Sequence, residues 1–195
     1  YEYLRDHTDF DTNLIWDNAL RSMNMADLVK NLQLTYVLPT QAVAREPKPQ
    51  KVALIAHLYY MDLLEPTLAY ARSMPEGTDF ILTVGSQEKV ELVEAACKDL
   101  PYNVTVRLIE NRGRDVSALL VGCKDIVSDY DLVCFIHDKK VTQLSPYTVG
   151  EGFARKCFDN LLPTREFVEN VISTFDSEPR LGLLSPTPPN HADYF

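Results

Sequence analysis

Four short polar clusters carry the residue types that chemistry needs: His57-Leu58-Tyr59-Tyr60, Thr83-Val84-Gly85-Ser86, Asn111-Arg112-Gly113-Arg114-Asp115 and His137-Asp138-Lys139-Lys140. Each follows directly on an apolar run. In the third, Arg112 and Arg114 flank Gly113 at the mouth of a helical pattern, in a chain of net charge −9. Guanidinium groups offer fork-shaped donors to phosphate, glycine lets the backbone come close to a ligand, and a helix start presents free amides. The stretch reads as an anion site; its plainer alternative is a solvated turn. Asp115 also reads as the N-cap of the helix that follows. A capping carboxylate repels a phosphate at the same amides, so Asp115 suits the cap, a sugar hydroxyl or a metal ion better than phosphate.

In the fourth cluster Asp138 is a candidate ligand for a divalent cation, Mg²⁺ or Mn²⁺, or a base acting on a hydroxyl. Lys139 and Lys140 can neutralise a leaving diphosphate, or simply charge the surface. His137 is a candidate metal ligand or hydrogen-bonding partner of substrate, beside the plainer role of a satisfied polar group. His57, Tyr59 and Tyr60 can line a pocket for a base or sugar ring, although tyrosines also pack without ligands. Ser86 reads as a helix cap, because no G-x-S-x-G surrounds it. The chain has no G-x-G-x-x-G, P-loop or zinc-type His/Cys spacing.

These clusters need a scaffold that brings them to one rim. KVALIAHLYY, DFILTVG, NVTVRLIE and YDLVCFIH are short apolar runs of strand type, predicting strands near 52–58, 80–84, 104–110 and 132–137. Between them lie helical patterns: DLLEPTLAYARSM with Pro66 in its first turn, SQEKVELVEAACKDL with Val90, Val93, Cys97 and Leu100 inward, and DVSALLVGCKDIV. In the last, Val116, Leu119, Leu120, Cys123, Ile126 and Val127 are expected to face inward. Residues 141–152 read as a loop, 164–176 as a helix with Val168, Val171, Ile172 and Phe175 inward, and LGLLSP as a fifth strand. Alternation of this kind predicts an α/β fold: a mostly parallel sheet with helices on both faces. Ligands of such sheets bind beyond the carboxyl ends of the strands, where all four clusters fall.

EPKPQK, residues 46–51, reads as a linker. It divides the chain into an N-terminal helical appendage, residues 1–50, and a main domain, 51–195. Residues 12–36 look helical, with Leu14, Leu20, Leu28 and Leu32 expected to be buried. With 195 residues, 46% of them hydrophobic and 24% charged, the composition is that of a globular domain. The negative balance argues against nucleic acid as a partner. Cys97, Cys123, Cys134 and Cys157 include no CxxC pair, and read as reduced core thiols. No run approaches the ~20 apolar residues of a membrane span. The chain begins at Tyr1 and stops at Phe195, and is read as an excised piece, truncated at its C-terminus.

ENRGRD after a strand, YDLVCFIHDKK after a helix, and then FDNLLPTREFVENVISTF and EPRLGLLSP resemble the rhamnan synthesis protein F family, from about Lys51 to Pro186. Where that family has I-H-x-K-K followed by serine, this chain has Val141. The order of parts also looks like the GT-A glycosyltransferase fold. Asn111 and Gly113 match its N-x-G stretch, which touches the nucleotide. His137-Asp138-Lys139 stands where those enzymes carry a metal-binding D-x-D motif, but supplies one carboxylate. The acidic pair expected after the second strand is replaced by Thr83-Val84-Gly85-Ser86. The resemblance implies a bacterial rhamnosyltransferase that moves L-rhamnose from dTDP-L-rhamnose to a lipid-linked or polymeric cell-surface glycan. Asp138 and Asp115 are then the candidate catalytic carboxylates, and Arg112, Arg114 and the lysines receive the diphosphate. It further implies a cytoplasmic location at the inner face of the plasma membrane, with peripheral association through regions outside this chain. The single carboxylate of HDKK favours a rival reading, a non-catalytic sugar- or nucleotide-binding module of a larger assembly protein.

Overall fold

A computed structural model describes residues 2–24, 27–29, 35–41, 49–140 and 147–186, with side chains 147–150 left aside. The chain divides into two compact units, residues 1–37 and 38–195. This division falls ahead of the linker read at 46–51, of which residues 46–48 lie outside the described residues. Residues 38–41 belong with the larger unit because the buried Asn170 amide donates to the carbonyls of Pro39 and Gln41, at 2.8 and 2.9 Å.

The smaller unit carries helices α1 (Glu2–His7) and α2 (Thr12–Ser22). The Asp11 side chain caps α2 by accepting from the Asn13 amide. Leu28 is buried, but Leu14 and Leu20 are exposed, contrary to expectation. Hydrophobic spacing on a helix marks a face; it does not guarantee that the face is covered. Leu32 lies outside the described residues.

The larger unit is an α/β fold built on four parallel strands: β1 (Val52–His57), β2 (Asp79–Val84), β3 (Asn103–Leu108) and β4 (Leu132–His137). Their order across the sheet is β3-β2-β1-β4. All three pairings are parallel. On one face, Leu54, Phe80 and Leu82 pack with Leu68 of α3 (Leu64–Ala71), Val90 and Val93 of α4 (Gln87–Cys97) and Val168 of α7 (Arg165–Ser177). On the other, Ala53, Ile55 and Ile81 pack with Cys123 and the partly buried Leu119, Ile126 and Tyr130. This second layer begins with α5 (Arg114–Leu120). Burial on both sides explains the unbroken apolar runs of the central strands. Each fully buried Leu or Phe among them contributes about 1.5–3 kcal/mol.

Three expectations need correction. LGLLSP is not a strand, and Leu183 is 79% exposed. Gly182 has no side chain to pack, and Pro179 and Pro186 remove amides at its flanks. The loop read over 141–152 is helical from Tyr147, within α6 (Tyr147–Asp159), while 141–146 lie outside the described residues. There the recurrence of Phe153 with Cys157 and of Ala154 with Phe158 outweighs Gly150 and Gly152. Finally, α5 stops at Leu120, so Val116 and Leu120 face solvent, and Ala118 takes the buried position against the sheet.

Candidate functional site

The strand order reverses direction at β1. The chain lays β2 and β3 on one side of it, then returns to place β4 on the other. At such a switch point the loops leaving the two strands part and open a crevice. His57 and His137 are register partners there, as the last residues of β1 and β4. Thr83 partners His57 from β2, and Arg107 partners Thr83 from β3. One polar row therefore crosses the carboxyl end of the sheet.

Thr83 is fully buried and orients His57. Its hydroxyl donates to the Ala56 carbonyl at 3.4 Å and accepts from His57 Nδ1 at 3.0 Å. Burial holds the His57 imidazole below its ordinary range, against the pull of the Asp138 and Asp115 carboxylates. His137 is anchored differently: its Nδ1 lies 2.9 Å from the Asp138 carbonyl. A carbonyl oxygen only accepts, so Nδ1 carries the hydrogen and Nε2 is left with the lone pair in the neutral ring. That Nε2 faces Asp115 Oδ2 at 3.5 Å, with both side chains about one-third exposed.

Asp138 is turned inward and is only 6% exposed. Its Oδ2 accepts the amide of Tyr59 at 2.8 Å and also that of Tyr60, and its own amide donates to the His57 carbonyl at 3.1 Å. Burial raises its carboxyl above the ordinary carboxylate range, although the two amides and the two histidines pull it down. Asp138 thus ties the turn after β1 to the end of β4. Two further cations brace that turn. Lys89 donates to the Tyr59 carbonyl at 2.6 Å and sits over the Tyr59 ring, and Lys140 pairs with Asp62. Lys139 is exposed, with its Nζ 4.2 Å from the Phe153 ring centre.

The arginine stretch forms a tight left-handed turn. Gly113 occupies the N-cap of α5 with φ +86°, and no side chain caps the helix. Asp115 therefore is not the cap; it lies in the first turn, towards His137. Arg114 follows at φ +57°, the one non-glycine residue with positive φ among the described residues. The Ser117 hydroxyl reaches the carbonyls of Arg112 and Arg114 and closes the turn from below. A Cβ on Gly113 would stand 2.8 Å from the Ser117 Cβ, so the position needs glycine for space as well as for φ. Arg112 lines a separate groove with Leu108, Ile109, Ser117 and Val121, and none of His57, His137 or Asp138 borders it. Asn111 is placed beside Gly85, at the end of β2.

The structure thus gathers His57, His137, Asp138, Asp115 and the Tyr59-Tyr60 turn at the switch point, and Arg112 borders the groove beside Leu108 and Val121. Ser86 holds the N-cap position of α4 without a capping side-chain bond. Sequence reasoning missed Lys89 and Ser117, and placed Thr83 on the rim without its role in orienting His57. For Lys89 the signal was available, since the first turn of the helix after β2 lies on the same rim. Among the described residues no three His, Cys, Asp or Glu side chains converge to hold a metal ion, and no helix is long and apolar enough to cross a membrane.

No curated protein matches this chain, and no solved structure does. A family model described as rhamnan synthesis protein F matches residues 1–195, the whole chain. The two rim motifs that carry the likeness, ENRGRD and IHDKK, flank α5 and end β4 in the structure. The protein belongs to the rhamnan synthesis protein F family.

Proposed function

We propose that this protein is a glycosyltransferase of GT-A-like fold that moves L-rhamnose from dTDP-L-rhamnose to a growing polysaccharide. Family membership implies a role in rhamnan synthesis. The observation that supports the finer reading is the pairing of His57 with His137 at the ends of β1 and β4, with the Asp115 carboxylate 3.5 Å from His137. A nucleotide sugar leaves as a diphosphate, and fixed cations at that position stabilise the charge as it develops. Arg114, exposed one residue ahead of Asp115, and Lys139 are the cations placed for that work. Asp115 supplies the open carboxylate of the crevice. Asp138 acts by positioning, holding the Tyr59-Tyr60 turn beside the sugar.

A second reading is favoured by one observation. The only carboxylate in HDKK is committed to two backbone amides, which suits a binding module that holds a nucleotide sugar without turning it over. Release of dTDP from dTDP-L-rhamnose, measured with and without a rhamnan acceptor, separates the two. Acceptor-dependent release that Asp115→Asn lowers by about 100-fold supports the enzyme. Tight binding with no release under any condition supports the module.

A further inference from the structure

We propose that the outer face of α5 docks on an anionic lipid bilayer. Ala118 packs this helix against the sheet, and the opposite side is left uncovered. Val116 and Leu120, four residues apart and so on one face, are both more than half exposed, and Val121 beside them is 74% exposed. Leu108, exposed at the end of the edge strand β3, shares a groove of about 430 Å³ with Val121. Single exposed hydrophobics are ordinary on a folded protein, but aliphatic side chains gathered at one place mark an interaction surface.

The charges around the patch identify what covers it. Arg112 borders the groove, Arg114 lies in the same turn, and Lys124 follows Val121 by three residues. All three are exposed, and none of them forms an ion pair among the described residues. Asp125 is already held by Arg107 through two contacts of 2.9 Å, and Asp115 faces His137. Glu110 is the carboxylate that the groove itself contributes. Cations therefore outnumber uncommitted carboxylates here, in a chain whose net charge is −9. Aliphatic side chains that enter the headgroup boundary, flanked by cations that meet lipid phosphates, are what interfacial membrane binding requires.

The smaller unit exposes apolar side chains too, Phe10, Leu14, Ile15 and Leu20 among them. They stand among Asp6, Asp9, Asp11 and Asp17, which an anionic surface repels. Apolar exposure alone does not choose between the two surfaces; charge selects α5. With seven residues α5 is far too short to span a bilayer, so it lies along the interface. Its first turn reaches the crevice through Asp115 and its last turn carries Leu120. A protein resting on α5 thus opens its crevice close to the lipid surface.

The test is flotation of the full chain with vesicles of phosphatidylcholine alone, or of equal parts phosphatidylcholine and phosphatidylglycerol, in low and high salt. The expected result is binding to the mixed vesicles at least about tenfold tighter than to phosphatidylcholine, weakened by salt and lost when Leu120→Asp and Val121→Asp are combined. Lys124→Glu should weaken it at least about fivefold, and Leu14→Asp, in the smaller unit, should leave it unchanged. Melting temperatures check that each variant folds, and Lys124→Glu with the salt dependence decides the matter if the aspartate pair does not. Absence of binding to mixed vesicles, equal binding to phosphatidylcholine, or binding that survives both α5 variants overturns the lipid docking. A dimer in sedimentation velocity that the aspartate pair dissociates, without vesicle binding, overturns it in favour of a second copy. No nucleotide is present in these measurements, so their failure leaves the nucleotide-sugar reading standing.

Discussion

Replacing Asp138 by alanine should unfold the protein more readily before it does anything to chemistry. Its carboxylate accepts the Tyr59 and Tyr60 amides, and the side chain is 6% exposed. Each amide left unpaired costs about 1–3 kcal/mol. Alanine also removes a carboxylate that burial disfavours, which returns part of the loss. The net expectation is a destabilisation of about 2–4 kcal/mol. For a chain of this size that lowers the melting temperature by roughly 5–12 °C. Asp138→Asn keeps an acceptor oxygen but loses the charge, and should cost about half as much. Urea unfolding followed by circular dichroism measures all three proteins. An alanine variant within about 0.5 kcal/mol of wild type would refute the turn-holding role, being no more than an ordinary surface change. An asparagine variant of unchanged stability but abolished turnover would instead return Asp138 to the chemistry.

Four other outcomes follow from particular contacts. Gly113→Ala, at φ +86° and facing the Ser117 Cβ, should cost about 1–3 kcal/mol, and equal stability would show that the turn relaxes freely. Thr83→Val removes the buried partner of His57, and should cost about 1–3 kcal/mol in the same unfolding assay. A chain beginning at Leu38 should be more stable than one beginning at residue 42 by about 1–3 kcal/mol, because only the longer keeps both carbonyls that Asn170 binds. Burial pushes the thiols of Cys97 and Cys134 up to about 11 and about 12 and raises that of Cys123, so a thiol reagent at mildly alkaline pH should label Cys157 well ahead of all three. Fast labelling of Cys134 in the folded protein would contradict its packing against the core.

The central strands β1 and β2 were legible because a parallel strand buried on both faces leaves an unbroken apolar run, and the edge strand β3 through its alternating Val104 and Val106. The strands expected near 52–58, 80–84, 104–110 and 132–137 are found at 52–57, 79–84, 103–108 and 132–137. LGLLSP shows the limit of that signal, since an apolar run without an amide-bearing partner is no strand. The rim placement of the polar clusters was legible for the same reason, since each follows a strand. Their internal geometry was not. Local sequence offered Asp115 as a cap, but the backbone turns left-handed at Gly113 and carries the carboxylate on to His137. Asp138 looked free beside two lysines, and only the pairing of β4 with β1 sets its oxygen against two amides from residues 59 and 60. Contacts between segments some 80 residues apart leave no periodic trace in the chain.

The central claim is that the crevice at the ends of β1 and β4, with the Arg114 turn at its rim, receives a nucleotide sugar. Calorimetric titration of dTDP-L-rhamnose into the wild-type chain and into Arg114→Ala tests it most directly. The expected result is saturable binding that the substitution weakens by about 30- to 150-fold, the equivalent of a 2–3 kcal/mol charge-assisted contact. Arg114→Ala should keep the wild-type melting temperature, since an exposed arginine contributes little to folding. Equal affinity in the two proteins, or no binding of dTDP-L-rhamnose to the folded wild type, would contradict the claim and leave NRGRD a solvated turn.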